Sequence, residues 1–178
     1  MSSESLPQQS ADSSAAEKLF AEQMAAEREY VARVYARLDE LREETAEKLA
    51  AVRKNQAVGG HQNRSERDSF ATHYEDRLAQ LNAVDSRLTF GRLDMDRDGA
   101  DAVRYIGRIG ITDSNQQRLL MDWRAPEAGT FYQATAFHPM GVRRRRHLML
   151  EGRTVVNIED EVFDSEMLQD EDTLHGEG

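Results

Sequence analysis

A chain of 178 residues holds one domain, or a small domain with an appendage. With 33 acidic and 23 basic residues its net charge is −10, which argues against a phosphate-binding surface, since that usually needs a basic domain. It has no cysteine, so disulfides and thiolate metal sites are excluded, and at 39% apolar and 31% charged it is more polar than a globular average.

The charge is unevenly spread. Residues 1–90 carry 12 basic and 16 acidic groups, residues 91–150 carry 10 and 7, and residues 151–178 carry 1 and 10. No apolar run approaches the ~18 residues of a membrane span. The start, Met1 to Pro7, lacks the basic and apolar regions of a signal peptide. The expected location is cytoplasmic, with no membrane partner.

Residues 1–12 are rich in serine and glutamine and are predicted to be disordered. Ser13 or Ser14 is the expected helix cap, with Glu17 as reciprocal partner of Ser14. From there to about Gln56 neither glycine nor proline interrupts. Phe20, Met24, Val31, Val34, Leu38, Leu41 and Val52 recur in steps of three, four or seven once Glu27, Thr45 and Lys48 are counted in the slots where the pattern lapses. That is a heptad seam. It breaks at Gly59-Gly60 and restarts after a second cap at Ser65, with Asp68 in the box position. Phe70, Tyr74, Leu78, Leu81, Val84 and Leu88 make the second stripe. Residues 13–88 therefore read as an antiparallel coiled-coil arm whose tip is 57–64. The two legs differ in length, so Leu88 should lie opposite a point near Val34. Residues 14–33, with Phe20, Met24, Tyr30 and Val31, should then pack on the second half of the chain.

That second half, 89–163, reads as a small β domain. Runs at Arg87–Leu93, Val103–Ile111, Gln117–Trp123, Thr130–Phe137, Arg143–Leu150 and Arg153–Ile158 are bounded by turn residues. They predict a small antiparallel, partly open barrel or curled sheet. Residues 164–178 form an acidic tail with nothing to bury, expected to be frayed. The fold class is α+β: a long antiparallel coiled-coil hairpin followed by a small, mostly antiparallel β domain.

Chemical motifs are few. Asp94, Asp96, Asp98 and Gly99 copy the first half of a calcium loop, but the twelfth position is Tyr105 rather than a glutamate. An acidic hairpin turn closed by glycine is the better reading. Arg143, Arg144, Arg145 and Arg146 form a possible basic contact for nucleic acid. They equally fit a strand whose alternate arginines face solvent and the acidic segment 159–172. The five histidines show no metal spacing, and no Walker A loop occurs. Asp122, Trp123, Arg124, Ala125 and Pro126, then Phe131 and Tyr132, gather the single tryptophan at a proline turn. They read as a structural corner, with Trp123 and Phe131 in the core and Asp122 and Arg124 tying the turn, ahead of a binding pocket.

Taken in order, the heptad arm, Tyr105-Ile106-Gly107-Arg108-Ile109-Gly110, the run Asp122 to Pro126, Phe131-Tyr132-Gln133-Ala134-Thr135, Pro139 to Arg145 and Asp160 to Asp164 resemble one family. It is the N-terminal part of HelD, the bacterial RNA polymerase-associated, UvrD/Rep-like ATPase, with the actinobacterial branch most similar. The resemblance covers about residues 15–165. It implies a parent that binds core RNA polymerase and recycles it with ATP and magnesium bound in other domains. The coiled coil would enter the polymerase secondary channel. This chain stops at Gly178 before any Walker A loop, so no cofactor and no ATP hydrolysis are expected of it. Gly59, Gly60, His61, Gln62, Asn63 and Arg64, with Glu66 and Asp68 just beyond, are the expected partner contacts at the tip. Gly107, Arg108, Asp122, Trp123, Arg124, Pro126, Phe131 and Tyr132 are the motif positions with an expected structural role. The tip 57–64 has no carboxylate to hold a second magnesium ion, which points to a wedge or plug and not a transcript-cleavage cofactor. A coiled-coil adaptor or dimerisation module, and an arginine-mediated nucleic-acid-binding module, remain as alternatives. An intramolecular hairpin predicts a monomer.

Overall fold

Helix α1 begins earlier than the sequence suggests, at Leu6, and runs to Val58 over 53 residues. The computed structural model describes residues 6–58 and 64–163, with side chains for 11–55 and 65–163. The early start corrects the expectation of disorder for residues 6–12 and of a cap at Ser13 or Ser14; residues 1–5 of that expected stretch lie outside the described residues. Pro7 is no obstacle, because in a first turn its missing N–H has no helical partner to lose. The expected tip residues Gly59 to Asn63 and the tail 164–178 lie outside the described residues.

The buried stripe of α1 is Met24, Glu27, Val31, Val34, Leu38, Thr45 and Leu49. Near its far end the stripe passes through Leu49 and leaves Lys48 exposed. Phe20, expected to be covered, is 46% exposed, since the first buried side chain is Met24 one turn later. Thr45 fits an apolar seam by turning its hydroxyl onto the carbonyl of Leu41 at 2.6 Å.

Helix α2, Arg64–Ala83, runs back along α1. The rungs are Arg67 to the Asn55 carbonyl at 2.7 Å, Arg53 to Glu75 at 2.8 Å and Arg42 to the Leu81 carbonyl at 3.1 Å. At the root, Tyr35 Oη donates to the Asp85 carbonyl at 2.6 Å and accepts from the Leu88 amide at 3.3 Å. Leu88 therefore meets α1 one residue from Val34, where the length mismatch puts it. The stripe of α2 uses Ala71 and Leu81, Val84 is buried just past its end, and Phe70 is 55% exposed. Ala71, Tyr74, Leu78 and Leu81 hold a three-and-four spacing that Phe70, one residue away, turns its back on.

Among the described residues six strands come after α2: β1 Thr89–Met95, β2 Val103–Gly107, β3 Ile111–Thr112, β4 Arg118–Asp122, β5 Val142–Glu151 and β6 Thr154–Val162. Their order is β3-β4-β2-β1-β5-β6. All neighbours are antiparallel except β2 and β4, so the sheet is mixed. It is an open sheet with β3 and β6 at its edges, and not the partly open barrel expected. One face packs on the helices through Val31, Val34, Leu38, Leu81, Ile109, Leu120, Val155 and Ile158. The other buries Leu93, Ile106, Met121, Phe131 and Phe163.

Two predicted strands are corrected. Val103–Ile111 splits, because β2 ends at Gly107 and Arg108 turns away. Its amide donates to the Leu88 carbonyl at 2.9 Å, and its guanidinium reaches the Ala83 and Ser86 carbonyls at the exposed end of α2. Thr130–Phe137 is no strand: Pro126–Ala128 is a 3-10 turn leading into a short helix α3, Gly129–Gln133. Ala128, Phe131 and Ala134 are buried there, a three-residue spacing that belongs to a helix. Strand β1 also starts two residues late, because Arg87 sits at φ 56°, outside extended geometry.

Candidate functional site: a charged joint between helix and sheet

The lapse in the α1 seam at Glu27 has a structural cause. Residues of one strand alternate between faces, so Arg92 and Asp94 of β1, Arg144 and Arg146 of β5, and Asp160 of β6 share the face that meets α1. Register pairs Asp94 with Arg144, which is favourable, and Arg92 with Arg146, which is not. Like charges directly opposite destabilise a sheet. Glu27 is wedged between those two guanidiniums.

Its Oε1 accepts from Arg92 Nη1, from Arg146 Nη1 at 2.9 Å and from Tyr105 Oη at 3.3 Å. Arg92 also forks onto Asp94 Oδ1 at 3.0 and 3.1 Å, and Arg144 donates to Asp94 Oδ2. Arg146 makes a bidentate pair with Asp160 at 2.7 and 2.9 Å. Three cations meet three carboxylates, so the knot is neutral as a whole. Glu27 is fully buried and Arg146 only 1% exposed. Burial lowers the Arg92 affinity for its proton, but the neighbouring Glu27 and Asp94 carboxylates more than offset this and hold its pKa above the ordinary range. Burial and the neighbouring Glu27 push the Tyr105 phenol up, so it stays a donor. Burial would raise Asp160, and Arg146 overrides it, leaving the carboxyl below its usual value. Tyr30 of α1 stacks on Tyr105 with centroids 3.7 Å apart and donates to the Leu119 carbonyl at 2.6 Å.

Further along α1 a second, exposed clasp holds the β5–β6 turn. Arg153 forks onto Asp39 at 2.8 Å twice, reaches Asp85 at 2.6 Å and lies over the Tyr35 ring. Arg42 joins Asp85 at 2.9 Å. Hydrogen bonds from Arg153 hold the Asp39 and Asp85 carboxyls below the usual range. A depressed native pKa stabilises fully above the unfolded value of about 4 and is lost as pH falls through the native value. We expect Arg153→Ala to cost less than about 1 kcal/mol at neutral pH, because the clasp is exposed. It should also shrink the loss of stability as pH falls below about 4, measured by urea unfolding.

The structure engages three of the four arginines in the run 143–146. Arg144, Arg145 and Arg146 pair with Asp94, Glu161 and Asp160, and Arg145 also donates to the Phe131 and Ala134 carbonyls. Only Arg143 of the run is exposed. Asp122 and Arg124 tie their turn through a bidentate pair and an amide hydrogen bond at 2.8 Å, and Pro126 opens the 3-10 turn. Phe131 is buried, with Gly91 beneath its ring. Trp123 is 47% exposed, which corrects its expected place in the core: the side chain stands at the end of β4, where its amide and not its ring is held, by the Gly107 carbonyl. Tyr132 is also exposed. Glu66 and Asp68 lie in the first turns of α2. Arg64 opens that helix, and Gly59, Gly60, His61, Gln62 and Asn63 are outside the described residues. Asp94, first residue of the calcium-like motif, is not in the turn but in β1, taken up by two arginines. Sequence reasoning misses the buried knot. Its signal is a carboxylate in an apolar slot together with arginine and aspartate at alternate positions of three strands.

The family model described as DNA helicase IV HelD, N-terminal domain, matches residues 24–173. No curated protein matches the chain. No described helix is long and apolar enough to cross a membrane.

Proposed function

The chain belongs to the family of the HelD (DNA helicase IV) N-terminal domain, and from that premise we propose that it is the RNA polymerase-binding arm and platform of a HelD-like transcription factor. The observation that carries this reading is the geometry of α1. The helix is fastened to the sheet at Glu27 and clasped at Asp39, yet runs on to Val58. Beyond Asp39 it projects for roughly 30 Å, with α2 alongside it. Such a helix pair has the reach to enter a channel, and a rooted base keeps it from swinging. In this role it inserts into the polymerase secondary channel and helps the parent motor release nucleic acids and recycle polymerase. It contributes no ATP hydrolysis, and ATP and magnesium belong to other domains of the parent. The fold-back of α2 within one chain supports a monomer. The ion pairs that occupy Arg144, Arg145 and Arg146 weigh against direct nucleic-acid binding.

The test is capture of purified core RNA polymerase by the chain, with a variant in which residues 44–79 are replaced by a short glycine-serine linker. The intact chain should retain polymerase and the shortened one should not. Failure of the folded intact chain to bind would sink the proposal. A companion assay follows transcript cleavage by arrested polymerase. We expect no acceleration, because Glu66 and Asp68 lie on α2 and the tip 57–64 carries no carboxylate. Acceleration that Glu66→Ala or Asp68→Ala abolishes would overturn the wedge reading.

A further inference from the structure

Among the described residues β6 hydrogen-bonds to β5 alone, which leaves its outer side as a free edge of the sheet. Natural edge strands are usually short or carry proline, lysine or a covering element. Strand β6 has nine residues with no proline and no lysine. Helix α1 reaches this strand through Arg28, whose Nε donates to the Val155 carbonyl at 2.9 Å. Beyond it, Val156 is 43% and Val162 63% exposed, and Glu159, Asp160 and Glu161 are exposed between them.

The ladder fixes which backbone groups are open. Phe163 donates to the Arg143 carbonyl at 2.8 Å, so that pair is hydrogen-bonded. Bonded and non-bonded pairs alternate in an antiparallel ladder. With Arg145 opposite Glu161 and His147 opposite Glu159, residues 159 and 161 bond inward. Residues 158, 160 and 162 then turn both N–H and C=O outward. That is a template for an added strand.

Charge selects the occupant. Asp160 and Glu161 are held by Arg146 and Arg145, so Glu159 is the open carboxylate of this stretch. Two copies of β6 pairing antiparallel about Asp160 would set Glu159 opposite Glu161 and Asp160 opposite itself, an unfavourable match of like charges. The chain as a whole carries −10, which adds to that repulsion. A strand alternating basic and β-branched residues reverses the sign and offers apolar contact to Val162. We propose that the outer edge of β6 binds an extended, basic segment of a partner protein by strand addition. This surface is separate from the arm and does not rest on the polymerase reading.

The test uses this chain alone with the peptide acetyl-(Lys-Val)3-amide and its Glu-Val counterpart, followed by amide hydrogen exchange. Saturating Lys-Val peptide should slow the amides of Ile158, Asp160 and Val162 by about tenfold or more, as expected for newly made hydrogen bonds. The amides of 159 and 161, already bonded to β5, should not change. Val162→Pro removes one outward donor at the strand's end and should weaken binding several-fold with unaltered circular dichroism. Glu159→Lys should weaken the Lys-Val peptide and admit the Glu-Val one. No protection at millimolar peptide, equal protection by both peptides, or self-association of the chain through β6 would each overturn the proposal.

Discussion

Truncating Glu27 to alanine should destabilise the chain by roughly 3–5 kcal/mol, the range for breaking a buried ion pair from one side. The cost comes less from the lost contact than from what remains. Arg92 and Arg146 stand opposite each other in the ladder, and Arg146 is 1% exposed. Without Glu27 two guanidiniums face each other with one carboxylate each, Asp94 and Asp160, pulled outward along the strands. Glu27→Gln keeps an acceptor for the donors but removes the charge, so its loss should fall between wild type and alanine. Glu27→Met combined with Arg146→Met should lose less than Glu27→Ala, because no cation is stranded and the two thioethers fill similar volume. Urea unfolding of the four proteins gives the comparison. If Glu27→Ala cost under about 1 kcal/mol, the knot would be relaxed by water and not a buried joint. Glu27 Oε2 is buried without a hydrogen-bond partner, so the native joint is itself held at some expense. That is consistent with a role in fixing the seat of α1 and not in maximising stability.

The buried stripe of α1 is legible in the sequence and the joint is not, for one reason. Apolar periodicity reports which face of α1 is buried, but not against what. Val31, Val34 and Leu38 sit in the stripe as expected. Glu27, in the same stripe, reads as a gap to be tolerated, because only the register of β1, β5 and β6 reveals that its slot is cationic. The arginine run shows the same limit. Alternation correctly sends successive arginines to opposite faces, with Arg144 and Arg146 to one side and Arg145 to the other. Nothing local says that one side is the root of the helix. Trp123 misleads through composition: a lone tryptophan beside phenylalanine suggests core, whereas Ala128, Phe131 and Ala134 fill that core by helical spacing. The strand ends are blurred by backbone devices, Arg87 at positive φ and the turn at Arg108, that leave little mark on a hydropathy pattern.

The motif Tyr105 to Gly110 contains two glycines that sequence alone treats as equals, and the fold separates them. Gly107 lies between β1 and β4, opposite Thr89 on one side and Asp122 on the other. A Cβ there would stand 2.1 Å from the Leu88 carbonyl oxygen and 2.7 and 2.9 Å from the two methyls of Leu120. The Leu120 side chain could yield, but the Leu88 carbonyl cannot. It accepts from the Arg108 amide at 2.9 Å at the point where the chain leaves α2 and enters the sheet. Moving it would also disturb the Gly107 carbonyl, which holds the Trp123 amide at 2.9 Å. Gly107→Ala should therefore cost about 3 kcal/mol, the upper part of the range for overpacking, because the obstacle is backbone. At Gly110 the nearest atoms to an added Cβ are 3.7 to 3.9 Å away, which is ordinary contact, and the backbone is not left-handed. Gly110→Ala should stay within about 0.5 kcal/mol of wild type. Thermal and urea unfolding of the two single variants decide the matter. Equal losses at both positions would mean that the glycines serve flexibility, and that the close passage of Leu88 over Gly107 is not what the motif records.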